Sequence, residues 1–241
     1  NDHLHYLSFA SLNDGEKYLI EDYPLFYAPS ASVLKFSLSR KKRGGRRRVL
    51  ALGNPDLNNE ALELPFAEKE VDSIHWNFPL TDVLKRDAAT ETALVKKAEE
   101  YGIIHIASHG EFDPVNPLLS RILLARSKES DGNLDVNDIF GLTLNADLVV
   151  LSACQSGLGK IEKGDEIIGL NRAFTYAGTQ SLLSTLWRVR DVSTAILVKH
   201  FYRNYTTLDK ATSLRRAQLH VMRYYPHPAY WAAFVLAGNY E

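Results

Sequence analysis

Asp147-Leu148-Val149-Val150-Leu151-Ser152-Ala153-Cys154 is an apolar run that stops at the only cysteine of the chain, ahead of Gln155-Ser156-Gly157. A short apolar run bounded by turn residues reads as a strand buried on both faces, as in a parallel sheet. A second run, Gly102-Ile103-Ile104-His105-Ile106-Ala107-Ser108, ends in His109-Gly110. In open α/β sheets, ligands and chemistry gather beyond the carboxyl ends of the strands. Strand ends carrying His109-Gly110 and Cys154-Gln155 therefore aim an imidazole and a thiol at one cleft.

Outward from these two strands, helices and strands alternate. Val49 to Gly53 is a short buried strand, followed by helices over Ala67 to Phe78 and Thr90 to Tyr101. Thr90 suits the N-cap of the second, and Gly102 its stop. Ile122 to Ala125 and the turn Ser130-Asp131-Gly132-Asn133 predict a small hairpin at the rim of the sheet. Past Cys154 come a glycine-rich loop (Gly157 to Gly164), a helix over Glu166 to Ala177 stopped by Gly178, and a strand over Ser181 to Trp187. Helices capped by Asp191 and Asp209 run to about Tyr205 and Tyr224, and Ala232 to Leu236 is a last strand. Such alternation predicts an α/β fold, a mostly parallel sheet covered on both faces.

Ahead of this domain, Tyr6 to Leu12, the turn Asn13-Asp14-Gly15 and Lys17 to Asp22 predict a hairpin. A short helix follows from about Ser30 to Leu38. Arg40 to Arg48 then carries seven cations and two glycines, the composition of a solvated linker. The expected division is a hairpin, helix and basic linker over residues 1–46 and the main domain over 47–241. Self-repulsion would keep the linker extended, and exposed loops are where proteolytic nicking concentrates. No aromatic residue interleaves these cations, so a nucleic-acid surface would lack its stacking platform.

Composition narrows the function classes. Charged residues are 24% and apolar ones 45%, with a formal net charge of −1, so no global pull toward nucleic acid or anionic membranes is expected. One cysteine makes no internal disulfide, and no apolar run is long enough to span a bilayer, so a cytoplasmic location is expected. The first residue is Asn1 rather than Met, as in a piece of a longer chain. No Cys/His cluster suggests a metal, and no glycine-rich phosphate loop follows a strand, so no cofactor is expected. His105 lies four residues before His109 but in a strand, and reads as a satisfied sheet histidine.

The motifs Tyr27-Ala28-Pro29-Ser30, Ile104 to Gly110, Asp147 to Cys154, Gly164-Asp165-Glu166-Ile167-Ile168-Gly169-Leu170, Leu186-Trp187-Arg188-Val189 and His227 to Phe234 together resemble the CHAT domain. This family is named for caspases and for association with tetratricopeptide repeats. His109 also precedes Cys154 by close to the roughly 50 residues that separate the caspase histidine from its Ala-Cys motif. The resemblance implies a caspase-hemoglobinase-like three-layer α/β/α sandwich, kin to caspases and separase. It further implies a catalytic His109–Cys154 dyad, an oxyanion hole from the N–H groups of Gly110 and Cys154, and tetratricopeptide repeats upstream.

A thiol peptidase needs a thiolate, a proton shuttle and oxyanion donors. A neighbouring imidazolium lowers a thiol pKa by several units from about 8.5. Cys154 and His109 supply the first two. Substrate preference stays open. Caspases carry a glutamine two residues before the catalytic cysteine, where this chain has Ser152. Separase carries an acidic residue after the tryptophan that ends the next strand, where this chain has Arg188 after Trp187. Arg188 or Arg190 would favour an acidic or neutral residue before the cut, and Asp165 or Asp191 a basic one. The expected activity is a cysteine endopeptidase acting on a protein or peptide, gated by upstream repeats or a partner. The competing readings are a catalytically silent CHAT scaffold and a small-molecule hydrolase or transferase on a flavodoxin-like sheet.

Overall fold

Continuous burial along the central strands, with successive side chains entering opposite faces, builds two cores at once. The computed structural model describes residues 7–28, 30–39, 48–111, 113, 116–152, 154–155 and 165–241, with the backbone alone at 36, 37, 39, 117, 154, 155 and 165–168. In chain order the elements are α1 (Leu19–Asp22), α2 (Ala31–Ser39), β1 (Val49–Pro55), α3 (Pro65–His75), β2 (Thr81–Arg86), α4 (Glu91–Lys97), β3 (Ile103–Ala107) and β4 (His109–Glu111). There follow β5 (Arg121–Leu123), β6 (Asn133–Asp135), α5 (Val136–Phe140), β7 (Leu148–Leu151), β8 (Cys154–Gln155) and α6 (Asp165–Ala177). The chain closes with β9 (Ser181–Thr185), α7 (Asp191–Tyr205), α8 (Lys210–Tyr224) and β10 (Phe234–Gly238).

The main sheet has the order β10-β9-β7-β3-β1-β2, and every neighbouring pair is parallel except β9 with β10. Val49, Ala51, Ile103, Leu148, Val150 and Leu183 meet α3, α7 and α8 through Val71, Ile74, Leu197, Phe201 and Val221. The alternate residues Leu50, Leu52, Ile104, Ile106, Val149 and Leu182 meet α4, α5 and α6 through Leu94, Ile139 and Phe174. Successive strand residues point to opposite faces, so one apolar run feeds both layers. The result is a three-layer α/β/α sandwich.

A second sheet, β6-β5-β4-β8, extends past the carboxyl ends of β3 and β7. Its strand β4 continues β3 after Ser108, and β8 continues β7. The rim hairpin expected from the sequence is β5 paired antiparallel with β6. On the other side, Gly53 lets α3 lie close to β1. A Cβ there would stand 2.8 Å from Val71 Cγ2 and 2.9 Å from the Ala67 carbonyl oxygen.

Four local expectations are corrected. The amino-terminal hairpin is a single bridge between Asn13 and Tyr18, flanked by a 3-10 turn at Phe9–Ser11 and by α1. That stretch packs on the common core: Ala10 and Ile20 are buried in it, and Tyr27 bridges Ala237 of β10. Asp191 is the first residue of α7, whose N-cap is Arg190. Helix α4 gives way to a 3-10 turn, Ala98–Glu100, short of Gly102. Strand β2 and helix α5 were not expected. Thr90 and Asp209 do cap α4 and α8, accepting from Ala93 N–H and Thr212 N–H, and Gly178 ends α6 at φ +119°. Residues 40–47 of the basic run and the Gly157 to Gly164 loop lie outside the described residues. Arg48 pairs with Asp82 and Glu100. Among the described residues, no helix is long and apolar enough to cross a membrane.

Candidate active site

The ladder between β4 and β8 sets His109 opposite Cys154 and Gly110 opposite Gln155. These are Cα partners in a parallel pair, and partnered positions share one face of a sheet. The pairing follows from the main sheet, where β3 and β7 run parallel with Ile106 beside Leu151 and each then steps outward by a short link. His109 is buried, at 4% exposure.

One ring nitrogen of His109 is committed. Nε2 lies 2.7 Å from the carbonyl oxygen of Leu62. A carbonyl only accepts, so Nε2 carries the hydrogen and donates it. In the neutral ring Nδ1 is then the basic nitrogen. That atom is buried and has no hydrogen-bond partner among the described residues. A buried imidazole thus presents a lone pair next to the strand of the only cysteine.

The remaining predicted residues fall at the carboxyl edge of the same sheet. Ser152, between β7 and β8, donates its backbone N–H to Ile106 O at 2.9 Å, and its hydroxyl is buried without a hydrogen-bond partner among the described residues. Gly110 sits between Ile122 and Gln155 in the small sheet. Asp165 is the first residue of α6. Trp187 to Asp191 leave the end of β9, the neighbour of β7. Trp187 donates its indole N–H to Ala229 O at 3.1 Å, and the Arg190 guanidinium lies 5.6 Å from the Tyr230 ring centre. Arg188 is exposed and Asp191 half-buried.

His105 is held on both sides, as the sequence reading expects. Its Nδ1 is 3.1 Å from the Tyr202 hydroxyl, and its Nε2 is 2.9 Å from Glu70 Oε1, poorly aligned for a hydrogen bond. Burial, reinforced by the Glu70 charge, holds the Tyr202 phenol well above its ordinary pKa. His200 and His220 stack on one another with ring centres 3.5 Å apart. Among the described residues no group of three His, Cys, Asp or Glu side chains is placed to hold a metal ion. Sequence reading missed the Leu62 carbonyl, which has no residue signature.

A parallel sheet with two helical layers, whose adjacent strand ends pair a buried histidine with the single cysteine, defines a caspase-like α/β fold. The same fold occurs in separase of Saccharomyces cerevisiae, solved in its complex with securin, at TM-score 0.66 and 17% identity. That match covers 98% of this chain and 15% of that one. The Arg-specific cysteine proteinase gingipain R of Porphyromonas gingivalis matches at TM-score 0.53 and 10% identity, over 81% of this chain and 46% of that one. The CHAT domain model matches residues 1–239, and the chain belongs to the CHAT family. Tetratricopeptide repeat protein 28 of Mus musculus is 35% identical over 109 residues, and its Homo sapiens counterpart 31% over 136. These matches span 44% and 55% of this chain but only 4% and 5% of those relatives.

Proposed function

We propose that this chain is a cysteine endopeptidase in which His109 and Cys154 form the catalytic dyad. The observation that carries the reading is the β4–β8 register, His109 beside Cys154, with Nε2 tied to Leu62 and Nδ1 left basic. Nδ1 takes the thiol proton, and the thiolate attacks the scissile carbonyl carbon. The family resemblance assigns the charge that develops on the carbonyl oxygen to the backbone N–H groups of Gly110 and Cys154. The imidazolium then hands its proton to the leaving amine, and water, deprotonated by the same ring, releases the acyl group from sulfur. Substrate enters along the carboxyl edge, where exposed Arg188 favours an acidic residue before the cut. In a longer chain, tetratricopeptide repeats like those for which the curated relatives are named would control access.

Alkylation of Cys154 by iodoacetamide, followed across pH, tests the dyad. The expected profile has its reactive limb well below pH ~8.5, and His109→Ala returns it to the unassisted thiol. Coincident profiles would leave the silent-scaffold reading standing. Hydrolysis of a peptide library by wild type, absent in Cys154→Ala, is the matching activity measurement.

A further inference from the structure

We propose that Asn54 is a positioning residue for His109, acting through the Leu62 carbonyl. It rests on the dyad reading above and adds to it the part that holds the imidazole still. Asn54, the residue before the end of β1, is 2% exposed and adopts φ 48°, a left-handed conformation that asparagine tolerates better than most side chains. Gly53 is paired with Ala107 of β3, so Asn54 is laid beside the Ser108-His109 step.

From there its amide reaches into the segment that bears Leu62. Asn54 Oδ1 accepts the Leu64 backbone N–H at 2.8 Å, and Asn54 Nδ2 donates to Glu68 Oε1 at 2.7 Å. Leu64 is the N-cap of α3 and its apolar side chain makes no cap, so Asn54 supplies the polar partner from outside the helix. At the other end of the segment, Asn59 caps the 3-10 turn Glu60–Leu62 by accepting from Ala61 N–H at 3.0 Å. Leu62 stands between these two asparagine anchors. Its carbonyl direction, and hence the tautomer and tilt of His109, follows from them.

Backbone left-handedness and amide bonding are separable by mutation. Asn54→Gly keeps the conformation and removes both hydrogen bonds. Asn54→Asp with Glu68→Gln keeps the Leu64 N–H bond in its original direction and restores the 54–68 bond with donor and acceptor exchanged, the carboxylate accepting from both. A displacement of about 1 Å in a catalytic group can cost on the order of 100-fold in rate. The expected result is that Asn54→Gly slows peptide hydrolysis tenfold or more and moves the Cys154 alkylation profile toward that of His109→Ala, with the circular dichroism spectrum unchanged. The exchanged double variant should bring the profile back.

If Asn54→Gly fails to fold, Glu68→Ala loosens the same amide from a half-exposed helix position and must move the profile in the same direction. An Asn54→Gly or Glu68→Ala profile coincident with wild type, while His109→Ala shifts, overturns the role of Asn54 and leaves the dyad intact. If His109→Ala itself leaves the profile unmoved, the dyad reading and this inference fall together.

Discussion

The two nitrogens of a free imidazole exchange their hydrogen readily, and in His109 one carbonyl makes them unlike. Leu62 O draws the hydrogen to Nε2, so the basic nitrogen faces away from Leu62, and among the described residues no carboxylate is hydrogen-bonded to the ring. At this scale the pairing of His109 with Cys154 was legible, because both announce themselves as polar ends of apolar runs on neighbouring strands. The Leu62 carbonyl was not legible, because every residue has one and only the folded loop selects it. Asn54 was half-legible, since Asn before Pro marks a turn but not what its amide will grip. Specificity belongs here too. Arg188 and Arg190 are both exposed at this edge, and Arg190 lies over the Tyr230 ring. Arg188→Glu should therefore lower kcat/KM for peptides with Asp or Glu before the cut by roughly tenfold, the factor set by about 1.4 kcal/mol. A matched panel of acidic, neutral and basic peptides reads this out, and an unchanged ranking would remove Arg188 from the pocket.

Helices α7 and α8 form a hairpin whose ends frame the Trp187 to Asp191 segment: α7 starts just past it, and α8 leads to Ala229 and Tyr230, which hold it. Inside the hairpin His200 and His220 are stacked, with the Tyr224 ring against His220. Burial, then the His220 ring, Arg203 and Lys199, push His200 down to about 4. Burial, then Arg223 and Arg203, also lower His220. The folded hairpin therefore binds these protons less readily than the unfolded chain, whose histidines titrate near 6.5. Stability from this pair is full above about pH 6.5 and falls as pH drops through the window toward 4. Urea midpoints at pH 7.5, 6 and 4.5 should fall less steeply for His200→Phe than for wild type. Parallel slopes would mean that the pair does not contribute. Among the elements, those with strong period signals were legible, and β2 was not. It is an edge strand of mixed Thr81, Asp82, Lys85 and Arg86, half-exposed along its length, so no apolar alternation marks it. The amino-terminal hairpin failed for the opposite reason. Its turn residues do form a turn, but the second arm finds a helical place on α8, where Arg215 donates to Ile20 O.

Across the whole molecule, a buried polar line joins all that one face of the sheet supports: Glu70 from α3, His105 from β3 and Tyr202 from α7. Helix α3 carries the loop that holds His109, and α7 the segment past β9, so both walls of the cleft are fixed to the same strand. Tyr202→Phe leaves His105 Nδ1 without its partner and should cost about 1–3 kcal/mol. His105→Ala removes the ring between Glu70 and Tyr202 and leaves a cavity, and should cost more than Tyr202→Phe. Urea unfolding measures both, and a loss for His105→Ala no larger than for Tyr202→Phe would mean that the ring does not hold α3 and α7 to the strand. The architecture as a whole was legible, because alternation of buried strands and helices leaves few ways to cover a parallel sheet.

The bridge from Tyr27 to Ala237 has a consequence for how the protein is made. Tyr18 packs on Trp231, Ser8 donates its hydroxyl to Ala232 O, and Tyr27 donates its N–H to Leu236 O. Ser8, Tyr18 and Tyr27 therefore rest on a stretch that is translated long after them. At about 5–20 residues per second, the early segment emerges from the ribosome roughly 10–40 seconds before its seat exists. Strand β9, whose end leads into Trp187, likewise waits for β10 to cover its open edge. The carboxyl edge is therefore completed only once β10 has been made, and until then a nascent chain carries β9 with one edge unpaired.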